Sequence, residues 1–253
     1  MSRRNSILRV IKDVTAIVIT PPKYEIPKEV TDAITKQCGN LIIVRGRQRA
    51  MQRNLGLKLA KTKYVLMVDT DEIITPNYVE TLLSRMKDNV AVSFGINVPH
   101  YSLPKLAKLE EYFKCVVNFQ TGMQGGRLYI RKVAIDAGGF KVVARELGDF
   151  PGEFLKRIRR KGHKLAFEPK AVVYHLNVYT LRKLVKAGLS APGTKYNPLY
   201  RLYARIFTVL IRVFQHYKKV YEASPDHLIF LLPIYAPLRQ LLFSICATVR
   251  KFA

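Results

Sequence analysis

Asp69 and Asp71 are the residues of this chain best suited to chemistry: two carboxylates one residue apart, at the end of the apolar run Tyr64-Val65-Leu66-Met67-Val68. Such a run, flanked by polar Lys61 to Lys63 and by Glu72, reads as a buried parallel strand that delivers acids to the carboxyl edge of a sheet. That edge is where open α/β sheets bind ligands. Two anions held so close repel unless a cation sits between them, and a divalent ion carrying substrate phosphates is a common solution. The triplet also reads as a plain turn followed by a helix N-cap, since Asp is common at both. Thr75-Pro76 then predicts a helix from about Asn77 to Lys87, with Thr75 as N-cap and Pro76 in the first helical position.

The elements that must position these acids alternate between the two periods through the first 175 residues, as in an α/β domain. Strands are expected over Val14 to Thr20, Leu41 to Val44, Tyr64 to Val68, Val90 to Val98, Leu128 to Ile130, Lys164 to Glu168 and Ala171 to His175. Helices are expected over Pro27 to Cys38, Gln48 to Ala60, Pro76 to Lys87, Leu103 to Asn118 and Gly152 to Lys161. In the Gln48 helix Met51, Leu55 and Leu59 form a stripe expected to face the core, with Arg49 and Arg53 on another face. Arg45-Gly46-Arg47 just before it puts cations at a strand-to-helix turn, where free N–H groups also favour anions.

Lys and Arg total 43 against 18 acids, a net charge of +25, so anionic partners are expected: nucleotide phosphates, acidic lipid headgroups or nucleic acid. From Lys170 onward there are 13 basic residues and two acids, Glu222 and Asp226. Cys38, Cys115 and Cys246 are scattered without metal-ligand spacing, which argues against a disulfide framework and for a reducing compartment. The short apolar run Val14 to Ile19 reads as a first core strand more than as a signal peptide, so the chain is expected to face the cytoplasm.

After His175 the pattern changes. Between Leu199 and Tyr221, Arg201, Arg205, Arg212, His216 and Lys219 fall on one narrow stripe of an otherwise apolar helix. This suits a helix at a membrane surface, and equally a helix packed on the rest of the protein with its stripe solvated. Leu228 to Val249 approaches spanning length but is interrupted by Pro233, Pro237 and Arg239-Gln240, which favours monotopic or re-entrant attachment over a clean span. The domains expected are therefore 1–178, catalytic, and 179–253, a helical membrane-associating extension.

Three ordered blocks carry a family resemblance. The first is Arg53-Asn54-Leu55-Gly56, Ala60, Tyr64 to Asp71, Thr75-Pro76 and Tyr78; the second is Gly125 to Lys132 with Gly138-Gly139-Phe140. The third runs through Glu146 to Asp149, Arg157, Gly162, Pro169 and Val173 to His175. Over about residues 14 to 176 the chain resembles the family 2 glycosyltransferases of the GT-A fold. The resemblance implies a Rossmann-like mixed sheet flanked by helices and transfer of a sugar from a nucleoside diphosphate, with inversion. It also implies that Asp69, Asp71 and His175 hold Mn²⁺ or Mg²⁺, and that Thr20, Arg53, Asn54 and Asp69 contact the donor. Asp149, or else Glu153, would be the base that deprotonates the acceptor. Glu153 equally reads as the partner of Arg157 one helical turn on, and Asp149 as a helix-start residue. Where relatives of this kind end their second strand in acids, this chain reads Arg45-Gly46-Arg47, and its third acidic motif reads Leu147-Gly148-Asp149-Phe150.

With the basic, apolar C-terminal third, this implies a lipid-linked or membrane-proximal acceptor at the cytoplasmic face of a membrane. Other classes are a nucleic-acid-binding protein, a metal-dependent phosphatase and a non-catalytic membrane protein retaining the fold. The aliphatic runs between the C-terminal cations are unlike a nucleic-acid groove, so nucleic acid is the less expected partner. Ile73 departs from the phosphatase motif.

Overall fold

The computed structural model describes residues 10–117, 125–141, 151–176, 180–190 and 198–252. In chain order the elements are β1 (Ile11–Thr20), α1 (Lys28–Thr35), β2 (Cys38–Arg45), α2 (Arg49–Leu59), β3 (Tyr64–Val68), β4 (Glu72–Ile74), α3 (Tyr78–Leu83), β5 (Val90–Pro99) and α4 (Lys105–Val117). They continue with β6 (Arg127–Ile130), α5 (Arg131–Asp136), α6 (Pro151–Arg160), β7 (Lys164–His175), α7 (Leu181–Ser190), α8 (Pro198–Ala223) and α9 (Leu232–Phe252). The chain divides into two units, 1–97 with 120–175 and 98–119 with 176–253. Besides the division at 175/176, the chain crosses between units at 97/98 and 119/120: the segment 98–119, which carries α4, groups with the C-terminal helices.

The first unit is a seven-stranded mixed sheet in the order β2-β1-β3-β6-β5-β7-β4. The strands β2, β1 and β3 run parallel, and β6 turns antiparallel to β3 and β5. The inner parallel strands β1 and β3 bury both faces, which is why Val14, Ala16, Ile17, Val18, Val65 and Leu66 read as continuous apolar runs. The two strands expected at 164–168 and 171–175 are one, β7, carried through Pro169. On its other side β4 pairs antiparallel with β7, Glu72 opposite His175. The strand β4 is not among the strands expected from the sequence, which predicts a helix from about Asn77 with Thr75 as its N-cap. In fact three residues of strand follow Asp71, and Asn77, left-handed at φ 62°, precedes a helix of only six residues with Thr75 and Pro76 outside it. The Thr75 hydroxyl donates instead to the Val172 carbonyl of β7 at 2.8 Å.

The stripe on α2 is a second correction. Met51, Leu55 and Leu59 are exposed, while Ala50, Gln52, Gly56 and Leu57 are buried. Two side chains set the rotation of the helix. The Gln52 amide donates to the Thr20 and Val44 carbonyls, each at 2.7 Å, at the carboxyl ends of β1 and β2. Arg53, from the next position, reaches Asp69. Small residues then let the helix lie close, and a side chain on Gly56 would overlap Ile17. Polar tethers thus override the apolar periodicity, which is only a prior on which face is buried.

In the second unit α8 packs on α4 and α9. Val209, Val213 and Val220 form its buried side. His216 lies three residues from Val213, and Arg212 three from Val209, so these members of the basic stripe border the packed side; Arg212 donates to the Val117 carbonyl at 2.7 Å. The outward side carries Phe207, Ile211 and Phe214. On α9, Ile234, Leu238, Leu241 and Ile245 are likewise exposed, at helical spacing. Residues 227–246 are long and apolar enough to cross a membrane by length and composition. Their one charged side chain other than His227, Arg239, turns inward to the Glu110 carboxylate of α4 at 2.7 and 2.8 Å, where Tyr235 also donates. Glu110 is 1% and Arg239 15% exposed, so this ion pair is withdrawn from water. Cys38, Cys115 and Cys246 are buried.

Removing one member of a buried pair strands the other, at a cost of about 3–5 kcal/mol. Arg239→Met is therefore expected to lower unfolding stability by about that much, whereas Arg239→Met combined with Glu110→Leu should recover most of it. Urea unfolding of the two variants beside the wild type measures the difference.

Candidate active site

The site is built at the carboxyl ends of β1 and β3 and along the β4–β7 pairing. The strand β3 ends at Val68, and the chain reverses through Asp69-Thr70-Asp71-Glu72, closed by the Glu72 N–H donating to the Asp69 carbonyl at 3.2 Å. The two aspartates diverge from this turn to different partners. Asp69 Oδ1 lies 3.3 Å from Arg53 Nη2, with the aspartate side chain 46% and the arginine 11% exposed. The guanidinium also stands over the Phe140 ring, 5.4 Å from its centroid. Asp71 Oδ2 lies 3.2 Å from His175 Nε2 at the end of β7, and these side chains are 34% and 16% exposed. Burial pulls the Asp71 carboxyl upward, but the hydrogen bond and charge of His175, helped by Arg49, outweigh it and hold the group below its usual value.

Asp71 and His175, a hundred residues apart in sequence, are thus brought together. A divalent ion with ligands at about 2.1 Å in octahedral geometry spaces neighbouring ligands about 3 Å apart. The 3.2 Å between Asp71 Oδ2 and His175 Nε2 fits two such adjacent positions. Asp69, turned to Arg53, does not complete a three-residue set, and among the described residues no cluster of three or more His, Cys, Asp or Glu could hold a metal. The residues fit an ion that takes its remaining ligands from substrate oxygens and water, as Mg²⁺ commonly does.

Other expected site residues have different surroundings. The Thr20 hydroxyl is turned to the Pro21 carbonyl at 3.3 Å, and its carbonyl accepts from the Gly46 N–H at 3.0 Å, which ties the end of β1 to the cationic turn. Asn54 is occupied with the backbone of Phe140, donating to its carbonyl and accepting from its N–H, both at 2.8 Å. It fastens the Gly138-Gly139 turn to α2, and a side chain on Gly139 would strike it. Glu153, in the first turn of α6, pairs at 2.7 Å with Lys156. Arg157 donates to the carbonyls of Ala137 and Gly139. Asp149 lies outside the described residues. On the outward side of α2, Arg45, Gly46, Arg47, Gln48, Met51 and Leu55 line a cavity of about 580 Å³.

Two residues of the site were missed in the sequence. Glu72 entered only as a polar flank and Asn97 not at all, yet Glu72 is 2% exposed and bonds to Asp69, Gly126 and Asn97. The one available signal was a third acid directly after the pair. Nothing in its neighbours marked it as buried.

The family model described as glycosyl transferase family 2 matches residues 4–147, more than half of the chain. No curated protein sequence matches it. Among solved structures, the mannosyltransferase from Pyrobaculum calidifontis, in complex with GDP-Man and Mn²⁺, is similar at 14% identity with a TM-score of 0.52, covering 95% of this chain and 87% of that one. Glucosyl-3-phosphoglycerate synthase from Mycobacterium tuberculosis, in complex with Mg²⁺ and UDP, is similar at 14% identity with a TM-score of 0.48, covering 68% of this chain and 73% of that one. At these identities the likeness is one of fold, and it is the family match, spanning the parallel strands and the acidic turn, that establishes that this chain belongs to glycosyl transferase family 2.

Proposed function

We propose that this glycosyltransferase moves a sugar, with inversion, from a nucleoside diphosphate to a lipid-linked or membrane-proximal acceptor. The observation that carries the donor half is the pairing of Asp71 with His175 at 3.2 Å beside the Asp69–Arg53 pair, the two aspartates lying in the turn after β3 that the family match covers. Asp71 and His175 would hold Mn²⁺ or Mg²⁺, which when bound neutralises the departing diphosphate. Asp69 orients Arg53, Arg53 and Arg49 place positive charge beside the phosphates, and the Arg45-Gly46-Arg47 turn adds more at the nucleoside end. The donor is expected to be a UDP- or GDP-sugar, nucleotides found with the two similar structures. A panel of UDP- and GDP-sugars with Mn²⁺ tests the reading by calorimetry and by product formation. At least one donor should bind, chelator should abolish binding, and Asp71→Ala should reproduce the effect of chelator. Binding that ignores both chelator and Asp71→Ala would remove the metal assignment, and no binding of any donor would remove the enzymatic one.

Inverting transfer needs a carboxylate to take the acceptor proton, and Asp149 is our choice. Support comes from its place in the third sequence block. Asp149→Asn is expected to leave donor binding nearly intact and to lower kcat about 10²-fold or more, the usual range for general-base loss. Glu153→Gln should have a much smaller effect, and the opposite order would move the base to Glu153.

The membrane half of the proposal is supported by the outward apolar sides of α8 and α9. Phe207, Ile211 and Phe214, with Ile234, Leu238, Leu241 and Ile245, are exposed, and Arg239 is drawn away from that surface into the Glu110 pair. An interface helix buries such a side among the acyl chains while its cations meet anionic headgroups. The net charge of +25 suits the anionic cytoplasmic leaflet. Changing Ile234, Leu238, Leu241 and Ile245 together to Gln should release the protein from anionic vesicles in flotation without loss of unfolding stability. Arg212→Gln should matter less, because that side chain is anchored on the Val117 carbonyl. Unchanged flotation of the four-residue variant would exclude this surface as the membrane contact.

A further inference from the structure

Glu72 is a carboxylate where an apolar side chain would be easier to bury. It is 2% exposed, and burial, reinforced by the neighbouring Asp69 charge, pushes its pKa up. Its Oε2 accepts from the backbone N–H of Asp69 at 3.0 Å and of Gly126 at 3.1 Å, and its Oε1 accepts from Asn97 Nδ2 at 3.0 Å. Since the Glu72 N–H also donates to the Asp69 carbonyl, the acidic turn is closed twice, once by backbone and once by this side chain. The backbone beside it is shaped to admit the group: any side chain on Gly125 would overlap the Glu72 carboxylate. In the β4–β7 ladder Glu72 stands opposite His175. One side chain thereby links the acidic turn, the entrance to β6 and the end of β5, from the strand position that faces the histidine.

We propose that Glu72 is a positioning residue for the donor site, holding the Asp69-Thr70-Asp71 turn in the conformation that keeps Asp71 and His175 at ligand spacing. This rests on the reading of that pair as the metal and diphosphate site. Glu72 itself touches neither donor nor metal: it fixes where the neighbouring carboxylates stand before either binds. Metal sites depend on such supporting bonds, whose loss typically lowers metal affinity or activity about 10- to 100-fold. The arrangement also accounts for Gly125, whose lack of a side chain has no other evident use.

Three variants of the full chain separate this role from simple packing. Glu72→Gln keeps an oxygen for the Asp69 and Gly126 N–H groups and, with the Asn97 carboxamide turned over, a matched bond on the other side. Glu72→Ala removes every bond, and Gly125→Ala leaves the carboxyl group intact but displaces it. The probe is Mn²⁺ with UDP and, separately, with GDP, using free-Mn²⁺ paramagnetic resonance and thermal unfolding on each protein. Glu72→Gln should bind Mn²⁺ within about threefold of wild type, while Glu72→Ala and Gly125→Ala should weaken it about 10- to 100-fold. Thermal unfolding without metal shows how much of each variant is folded at the binding temperature, and the Mn²⁺ affinity is read on that folded protein. Folded Gly125→Ala or Glu72→Ala with wild-type Mn²⁺ affinity overturns the proposal, and if Glu72→Ala does not fold, Gly125→Ala decides alone. Wild type that binds no Mn²⁺ with either nucleotide overturns the donor-site reading, and the Glu72 role with it.

Discussion

Three carboxylates, Asp69, Asp71 and Glu72, crowd one turn at the end of β3, and the surrounding structure must keep them there against their mutual repulsion. It does so by giving each a different partner. Asp69 has the guanidinium of Arg53, Asp71 the imidazole of His175, and Glu72 two backbone N–H groups and a carboxamide. The partners come from α2, β7, β6 and β5, so much of the first unit is recruited to hold four residues. The rotation of α2, the pairing of β4 with β7, and the glycine at 125 each make sense as conditions for that turn.

The outcome is two acids presented to solvent and one withdrawn. Asp69 and Asp71 keep part of their side chains exposed, 46% and 34%, with Arg53 beside the one and His175 beside the other. Glu72 is buried, where low dielectric strengthens its hydrogen bonds and makes any missing one costly. Rigidity at the turn follows from this division: the group that fixes the backbone is separate from those that would contact the substrate.

The second unit solves an opposite problem, a surplus of apolar surface. The helices α8 and α9 bury one side among themselves and α4 and leave another apolar side exposed. Pairing Arg239 with Glu110 inside the unit removes the charge that would otherwise interrupt the α9 sequence near its middle. The same pair cross-links α9 to α4, which explains why the segment 98–119 belongs structurally with residues far beyond it in sequence.

The sequence alone determined the mixed α/β class, most strands, and the acidic turn, because buried parallel strands leave unbroken apolar runs and because the acids end one of them. It also held the family resemblance, which the family match over 4–147 bears out. It did not determine the face that α2 buries: Met51, Leu55 and Leu59 have core periodicity, but the tethers of Gln52 and Arg53 depend on strand ends that only the folded sheet brings near. Nor did it reveal β4, three residues long, whose strand character comes from pairing with β7 a hundred residues away. The sequence marks Glu72 only as a flank of the apolar run, because burial is a property of what packs around a residue. The partners of Asp71, Glu72 and Glu110 are long-range choices, made by the register of β4 on β7 and the packing of α4 on α9, and local sequence carries no record of either.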